Sequence, residues 1–102
     1  MSPTARTLKK LREEGWLVQV VEKYNWYANV RQDLFGIIDI LAVRGKETLG
    51  VQCTSGSNLQ SRVKKLTDSD ALSRLRDAGW RIECHGWRKL KTGWQEKVVD
   101  LS

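Results

Sequence analysis

The sequence has few of the residues that build disulfide frameworks and zinc sites. It contains two cysteines, one histidine and no CxxC pair in 102 residues. Cys53 and Cys84 both lie in apolar, strand-like stretches with no metal-type spacing between them. We therefore expect two buried free thiols and no zinc site, because unpaired cysteine is among the most buried residue types.

Long hydrophobic runs are also lacking. No apolar stretch approaches the roughly 20 residues that a membrane-spanning helix needs. The N-terminal segment MSPTARTLKKLREEG has no apolar core of the kind found in signal peptides. We expect a cytoplasmic protein with no membrane partner, and the length predicts a single domain over residues 1–102 with a modest core.

Positive charge is in excess. The chain carries 18 Lys and Arg against 12 Asp and Glu, a net charge of +6. This balance favours a polyanionic partner, most simply nucleic acid, although ordinary basic surface chemistry would give the same balance. Trp80-Arg81 and Trp87-Arg88-Lys89 fit such a partner, because aromatic and basic side chains together suit bases and phosphates.

The hydrophobic pattern predicts a mixed α/β fold in the order α-β-β-β-α(α)-β-β. Helices are predicted to begin at Ser2-Pro3-Thr4, at Asn58 and at a capping box Thr67-x-x-Asp70. The predicted strands are Trp16–Lys23, Ile37–Val43, Thr48–Thr54, Trp80–Trp87 and, at a sheet edge, Trp94–Leu101.

Connection lengths indicate how these elements are arranged. The turn between the second and third strands is short enough only for an antiparallel hairpin. The long helical segment before Trp80 has the length of a crossover unit. Tyr24–Gln32 shows no clear period and is expected to be a loop. Because the two central strands are apolar on both faces, we expect a sheet of about five strands flanked by helices.

The chain is organised around Asp33–Asn58, where an aspartate interrupts the longest apolar run. Asp39 lies inside Ile37–Val43, and an unpaired carboxylate in a buried strand requires a partner, a proton or a metal. Strand alternation places Gln52 and Thr54 on one face of the next strand, and Asp39 can point the same way. Gly36 and Gly50 would leave room for a ligand or a backbone to approach this polar notch.

The helix that follows the notch is basic. Asn58 is expected at its beginning, and Arg62, Lys64 and Lys65 lie largely off its apolar face. A helix N-terminus beside basic side chains suits a phosphate. The alternative is a simple N-cap at Asn58 and a solvated face of cations.

An aspartate, a hairpin and then apolar-x-apolar-(Asp/Glu)-x-Lys on the next strand form the signature of the PD-(D/E)XK nuclease superfamily. The stretch from Thr4 to Trp87 resembles this superfamily in its element order. The Gly36-Ile-Ile-Asp39 element is similar to that of small Holliday-junction resolvases and related phage nucleases. LGVQCTSGSN also resembles small bacterial and phage proteins assigned to the superfamily. The resemblance implies a restriction-endonuclease-like core and hydrolysis of DNA that depends on Mg²⁺ or Mn²⁺.

The resemblance also implies roles for individual residues. Asp39 matches the metal-bridging aspartate, and Gln52 matches the second acidic position. The backbone carbonyl of Cys53 matches a further metal ligand, and Thr54 stands where the catalytic lysine is expected. Gln52 carries no charge and Thr54 no cation, so Arg62 or Lys65 from the following helix would have to supply the positive charge.

A further acidic ligand is expected from outside the two strands. The candidates are Glu13, Glu14, Glu22 and Asp33, of which Asp33 and Glu22 are favoured. The predicted nucleic-acid-binding residues are Asn58, Arg62, Lys64, Lys65, Arg88 and Lys89.

The resulting hypothesis is an endonuclease acting on DNA, with branched DNA as the substrate class and a homodimer as the arrangement, in a bacterial, archaeal or phage-infected cell. A non-catalytic nucleic-acid-binding protein on a degenerate nuclease fold is the alternative, and a subunit of a larger complex is the third. In these two alternatives, Asp39 would be a structural carboxylate paired with an arginine or with backbone donors. Gln52 and Thr54 would be buried residues with satisfied hydrogen bonds. His85 is expected to be structural, with no partner evident in the sequence.

Overall fold

The computed structural model describes all residues 1–102. The helices are α1 (Pro3–Glu13), α2 (Leu59–Thr67) and α3 (Asp70–Asp77), with a 3₁₀ turn at Gly56–Asn58 before α2. The strands are β1 (Leu17–Val20), β2 (Lys23–Asn25), β3 (Val30–Gln32), β4 (Ile40–Arg44), β5 (Glu47–Ser55), β6 (Arg81–Leu90) and β7 (Gly93–Asp100).

Five strands form one mixed sheet in the order β1-β4-β5-β6-β7. β4 and β5 pair antiparallel through the turn at Arg44–Glu47, as predicted, and Gly45 at φ 57° supplies its left-handed residue. β5 and β6 pair parallel, with α2 and α3 as the crossover. β7 is an edge strand. The prediction of a five-stranded mixed α/β sheet is therefore confirmed.

Helices cover both faces of the sheet, and each side has its own apolar core. The core on the α1 side consists of Leu11, Trp16, Ile40, Ala42, Leu49, Val51 and Cys53. The core on the side of α2 and α3 consists of Ile37, Ile38, Leu59, Leu66, Leu72, Leu75, Ile82 and Cys84. Both cysteines are buried free thiols, as predicted. Because β5 contributes to both cores, its side chains are buried on either face.

The segment Leu-x-x-x-Gly-Trp occurs twice and makes the same turn each time. Gly15 and Gly79 have φ values of 89° and 84°, which glycine adopts without strain. The following Trp16 and Trp80 each donate their N–H to the carbonyl of the leucine five residues earlier. This is the hydrogen bond of a Schellman C-cap, and it directs the chain from helix into strand.

Several predicted strand limits and one predicted loop differ from the structure. The second main strand begins at Ile40 and not at Ile37, because Leu34–Ile38 forms a compact turn closed by the Leu34–Ile38 bridge. The first strand ends at Val20, before Lys23. Residues 24–32 are not a loop, since β2 and β3 form a separate antiparallel hairpin.

Two predicted helix caps also differ. Asn58 makes no side-chain capping bond, and the chain enters α2 through the 3₁₀ turn. The cap of α3 is Ser69, whose Oγ accepts from the Ala71 N–H at 3.2 Å, and not Thr67. The Thr67 hydroxyl donates back to the Lys64 carbonyl within α2, so it is unavailable for capping. None of the three helices combines the length and apolar character that a membrane span requires.

Candidate metal centre

Backbone hydrogen bonds hold Asp39, directly before β4, between β5 and the residue that follows β1. Its N–H donates to the Val51 carbonyl at 2.9 Å, and its carbonyl accepts from the Val21 N–H at 2.8 Å. The preceding turn has Phe35 and Gly36 at φ values of 54° and 76°. The position of the carboxylate is therefore determined on both sides by the sheet.

Two hydrogen-bond donors to the Asp39 carboxylate lie on β5. Its Oδ2 accepts from Gln52 Nε2 at 2.7 Å and from the Cys53 N–H at 2.9 Å. Asp39 and Gln52 are only 4% and 3% exposed. The predicted convergence of Asp39 and Gln52 on one face is confirmed. Of the two partners considered for a structural Asp39, the structure shows a backbone donor, the Cys53 N–H, and no arginine.

Two further carboxylates complete an acidic cluster around Asp39. Carboxylate oxygens of Glu22, Asp33 and Asp39 all lie within 4.8 Å of one another. Glu22 and Asp33 directly precede and follow the β2–β3 hairpin, so the pairing of β2 with β3 brings them together. Of the acidic candidates considered in the sequence, these two lie beside Asp39.

The crowding of three carboxylates has an electrostatic consequence at the most buried one. Burial, the hydrogen bond shared with the Asp33 carboxyl and the charges of Asp33 and Glu22 raise the pKa of Asp39 to about 7. The Cys53 N–H opposes this shift without cancelling it. A cation at this position would favour the ionised form of all three groups.

Two cations lie at the outer side of the cluster. Lys65 Nζ is 3.5 Å from Asp33 Oδ2, and Arg31 Nη1 is 3.6 Å from Glu22 Oε1. Lys65 and Arg31 retain side-chain exposures of 44% and 76%, so each can turn toward a ligand. Of the two cations considered as replacements for the missing lysine, Lys65 makes an ion pair with the acidic cluster and Arg62 makes none.

Two β5 groups that the resemblance implicates can be located. Gln52 Oε1 is buried and has no hydrogen-bond partner, although the other atom of the same amide binds Asp39. The Cys53 carbonyl lies on the same side of β5 as its N–H, because both groups of one residue point toward the same neighbouring strand. Both oxygens are therefore beside the acidic cluster.

The donor set suits a hard divalent cation. Mg²⁺ prefers oxygen ligands, and the cluster offers three carboxylates, the Gln52 amide oxygen and the Cys53 carbonyl. The Cys53 thiol is not part of this set, since burial raises its pKa to about 12 and its side chain packs in the core on the α1 side.

The remaining predicted residues are spread around the site. Thr54 is buried, on the face of Gln52, and Asn58 is exposed beyond it. Lys64 is turned away and pairs with Asp68 at 3.6 Å. Arg88 and Lys89 line a groove of about 560 Å³ together with Ser55, Gly56, Ser57, Trp87 and Trp94, at the end of β5 that holds the acidic cluster.

The space above Gly50 is not available to a ligand. A Cβ on Gly50 would lie 2.6 Å from Ile38 Cδ1, so the Ile38 side chain fills the place that the glycine leaves open. The glycine therefore serves core packing, and the expected room at this position is absent.

His85 has partners that the sequence did not indicate. Its Nε2 lies 2.9 Å from Glu83 Oε1 and its Nδ1 lies 3.1 Å from Glu96 Oε2, on the α1 side of the sheet. Burial opposes protonation, but the hydrogen bonds and charges of the two glutamates outweigh it and raise the pKa of His85. Lys10 pairs with Glu96 and extends the network to α1.

No protein-family model matches the chain, and no curated protein or solved structure is significantly similar to it. Its function is therefore inferred from the geometry of the site.

Sequence reasoning missed Arg31 and the whole β2–β3 hairpin. Its strands have three residues each, too few for an alternating pattern to be recognised. The signal that was present is the pair of asparagines, Asn25 and Asn29, between segments that contain tyrosine and valine, since asparagine favours turns and tolerates positive φ.

Proposed function

We propose that this protein is a metal-dependent DNA endonuclease with a restriction-endonuclease-like core. The observation that carries the proposal is the acidic cluster of Glu22, Asp33 and Asp39 beside the unpartnered Gln52 Oε1. Three carboxylates this close repel one another unless protons or a cation intervene. A buried amide oxygen without a donor is costly in a folded protein, and coordination of a cation would satisfy it.

The three carboxylates would hold Mg²⁺ or Mn²⁺, with the Cys53 carbonyl and the Gln52 amide oxygen as neutral ligands. When bound, such an ion activates a water molecule and stabilises the negative charge that develops on a phosphate. Lys65 would supply the cation that Thr54 cannot. Its distance of 3.5 Å from Asp33 keeps the ammonium beside the cluster, where it can orient the attacking water or neutralise the phosphate.

Basic side chains near the cluster would hold the DNA backbone. Arg88 and Lys89 line the groove at the C-terminal end of β5, and Ser55 and Ser57 offer hydroxyls in the same groove. Phosphate contacts of this kind position a duplex without reading its sequence. With a net charge of +6, the chain is suited to such binding, and its affinity should fall as salt rises.

The test is cleavage of labelled DNA. Junction, flap, linear duplex and single-stranded substrates are incubated with Mg²⁺, Mn²⁺ or EDTA. The parent should cut with a divalent ion and not with EDTA, and Asp39→Asn should lose the activity. Asp68→Asn, which changes an exposed carboxylate that pairs with Lys64, is the matched control and should cut like the parent.

Absence of cleavage with either ion, together with DNA binding that Asp39→Asn leaves unchanged, would overturn the endonuclease proposal. The second candidate, a non-catalytic nucleic-acid-binding protein on a degenerate nuclease fold, is favoured by Gln52 and Thr54 at positions where a charged pair is expected. It predicts salt-dependent DNA binding without cleavage and without a requirement for metal.

Because DNA is the proposed partner, we expect the protein to act in the cytoplasm of a bacterial, archaeal or phage-infected cell. We propose that the active form is a homodimer, because two copies would present two sites to two strands, and symmetric pairs are the commonest oligomers. The exposed edge of β7 is a candidate contact. Light scattering after size-exclusion chromatography tests this, and a monomer that cuts both strands would exclude it.

A further inference from the structure

Two aromatic side chains at the tip of the β2–β3 hairpin are almost entirely exposed. Trp26 is 82% exposed and Tyr27 is 104% exposed. The hairpin forms its own two-stranded sheet, and it leaves the body of the protein between Glu22 and Asp33. The hairpin that carries the exposed rings is therefore joined to the rest of the chain at Glu22 and Asp33, two residues of the acidic cluster.

The other four tryptophans contact the body of the protein. Trp16 is buried with the Arg44 guanidinium 4.2 Å from its ring centre, and Trp94 carries the Arg6 guanidinium at 3.7 Å. Trp80 contacts Phe35, and the Trp87 Nε1–H donates to the Thr7 hydroxyl at 2.9 Å. Large apolar rings without such cover are typical of a binding surface.

The tip is held in one shape. The Asn25 Oδ1 accepts from the Tyr27 and Ala28 N–H groups at 3.0 and 3.1 Å. The Tyr24 ring supports Trp26 in an edge contact with centroids 4.5 Å apart, and the Tyr24 hydroxyl binds the Asn29 side chain. A rigid tip lowers the entropy that is lost when the exposed rings bind a ligand.

The hairpin also carries two basic side chains. Lys23 and Arg31 lie on the two strands of the hairpin, with Arg31 opposite Tyr24 and 76% exposed on its side chain. Exposed aromatic rings combined with lysine and arginine match the two parts of a nucleotide, since the ring stacks on a base and the cation faces its phosphate.

We propose that the hairpin tip is a base-stacking element that binds unpaired nucleotides of DNA through Trp26 and Tyr27. The proposal rests on the endonuclease function and names the substrate feature that the site would recognise. Bases in an intact duplex are stacked on one another and offer no free faces to these rings, so the tip selects nucleotides that are unpaired or at a junction.

The length of the hairpin relates the stacked base to the cutting site. Trp26 lies four positions after Glu22, a separation that an extended strand spans in roughly 13 Å. At about 3.4 Å per nucleotide along one strand, this corresponds to roughly four nucleotides. Cleavage should therefore fall within about four nucleotides of the unpaired base.

The test is DNA binding in EDTA, where no cleavage occurs. Fluorescence anisotropy compares a fully paired duplex with the same duplex carrying a short bulge of unpaired nucleotides. Trp26→Ala/Tyr27→Ala should weaken binding to the bulged duplex by about tenfold or more, with less than about threefold effect on the paired duplex, because stacking contributes only where a base is free.

Two control variants make the result specific. Trp26→Phe/Tyr27→Phe keeps both rings and should restore most of the preference for the bulge. Leu17→Ala removes an exposed apolar side chain on β1 that lies outside the hairpin, and should bind like the parent. An equal loss on both DNAs in the alanine variant, or no loss on either, would overturn the proposal, as would failure of the phenylalanine variant to restore the preference.

The outcome is separable from that of the endonuclease proposal. A preference for the bulge that depends on the two rings, in a protein that cuts no DNA with Mg²⁺ or Mn²⁺, would support the stacking element and reject the nuclease. Metal-dependent cleavage that Asp39→Asn abolishes, with identical binding of the alanine variant and the parent to bulged DNA, would do the reverse.

Discussion

Replacing Asp39 by asparagine should stabilise the metal-free protein at neutral and alkaline pH. The two donors to this side chain, Gln52 Nε2 and the Cys53 N–H, both bind the single oxygen Oδ2. An asparagine Oδ1 can accept both. Its amide nitrogen then takes the place of the second carboxylate oxygen, beside the carboxylates of Asp33 and Glu22, which can accept its protons.

The magnitude follows from the electrostatics of the cluster. Burial and the two neighbouring acids raise the pKa of Asp39 from its ordinary value of 3.8 to about 7. The ionised form is therefore disfavoured in the folded protein by roughly 4 kcal/mol, at about 1.4 kcal/mol for each pH unit. Asparagine removes this term together with the charge.

The direction of the Asp39 pKa shift determines the pH range in which this residue changes the free energy of unfolding. The folded protein keeps the Asp39 proton more tightly than the unfolded chain, so this contribution to stability is complete below pH 3.8 and is lost as pH rises through about 7. Between pH 5 and pH 8, the excess stability of Asp39→Asn over the parent should grow by roughly 2–3 kcal/mol.

Urea denaturation followed by tryptophan fluorescence, in EDTA at the two pH values, measures this difference. Asp68→Asn serves as the control and should show the same pH dependence as the parent. Mg²⁺ should narrow the difference at pH 8, since an ion at one hundred times its Kd stabilises the parent by about 2.7 kcal/mol and leaves the asparagine variant unchanged. A variant that is less stable than the parent at pH 8, or an excess that does not vary with pH, would refute the description of a crowded, desolvated carboxylate.

Three further predictions concern single side chains. Lys65→Ala should reduce metal-dependent cleavage by roughly 10²-fold or more while leaving Mn²⁺ binding by calorimetry intact, since removal of one group that stabilises developing charge has effects of this size; Lys46→Ala, in the turn at the far end of β5, is the control and should cut normally. His85→Gln should destabilise the protein by about 2 kcal/mol or more at pH 6, because it removes the buried cation between Glu83 and Glu96, which keep only Arg81 and Lys10 as ion-pair partners. In the parent, the stabilisation by His85 is complete below pH 6.5 and is lost as pH rises through the raised pKa, so its unfolding free energy should fall there by more than that of the variant, in which only the loss at Asp39 remains. Gly50→Ala should cost about 1–3 kcal/mol in urea denaturation through the clash with Ile38, and an unchanged midpoint would show that Ile38 can move aside.

The two strands that carry the site illustrate how much local pattern can establish. Alternation along β5 and the short turn before it are enough to bring Asp39 opposite Gln52, because the register of a tight hairpin follows from the turn. The five-stranded sheet, its antiparallel central pair and its edge strand β7 follow from the same rules of period and connection length. The prediction that the strand begins at Ile37 was wrong, because Ile37 and Ile38 belong to a turn that packs beneath α2 and α3.

Contacts between charged residues far apart in the sequence could not be predicted from local pattern. The sequence offered four candidates for the further acidic ligand and favoured Asp33 and Glu22, but it is the β2–β3 hairpin that brings these two to Asp39. Lys65 reaches Asp33 across 32 positions, and no local rule distinguishes it from Arg62.

The sequence by itself determined the order of elements, the two-sided core and the buried aspartate facing an amide, because these depend on hydrophobic period and on contacts between neighbours in the chain. The tertiary structure alone decided which carboxylates crowd that aspartate, which cation lies beside them and which aromatic rings remain uncovered. Electrostatic shifts and exposure depend on distances between residues far apart in sequence, and those distances exist only once the sheet, the helices and the hairpin have packed together.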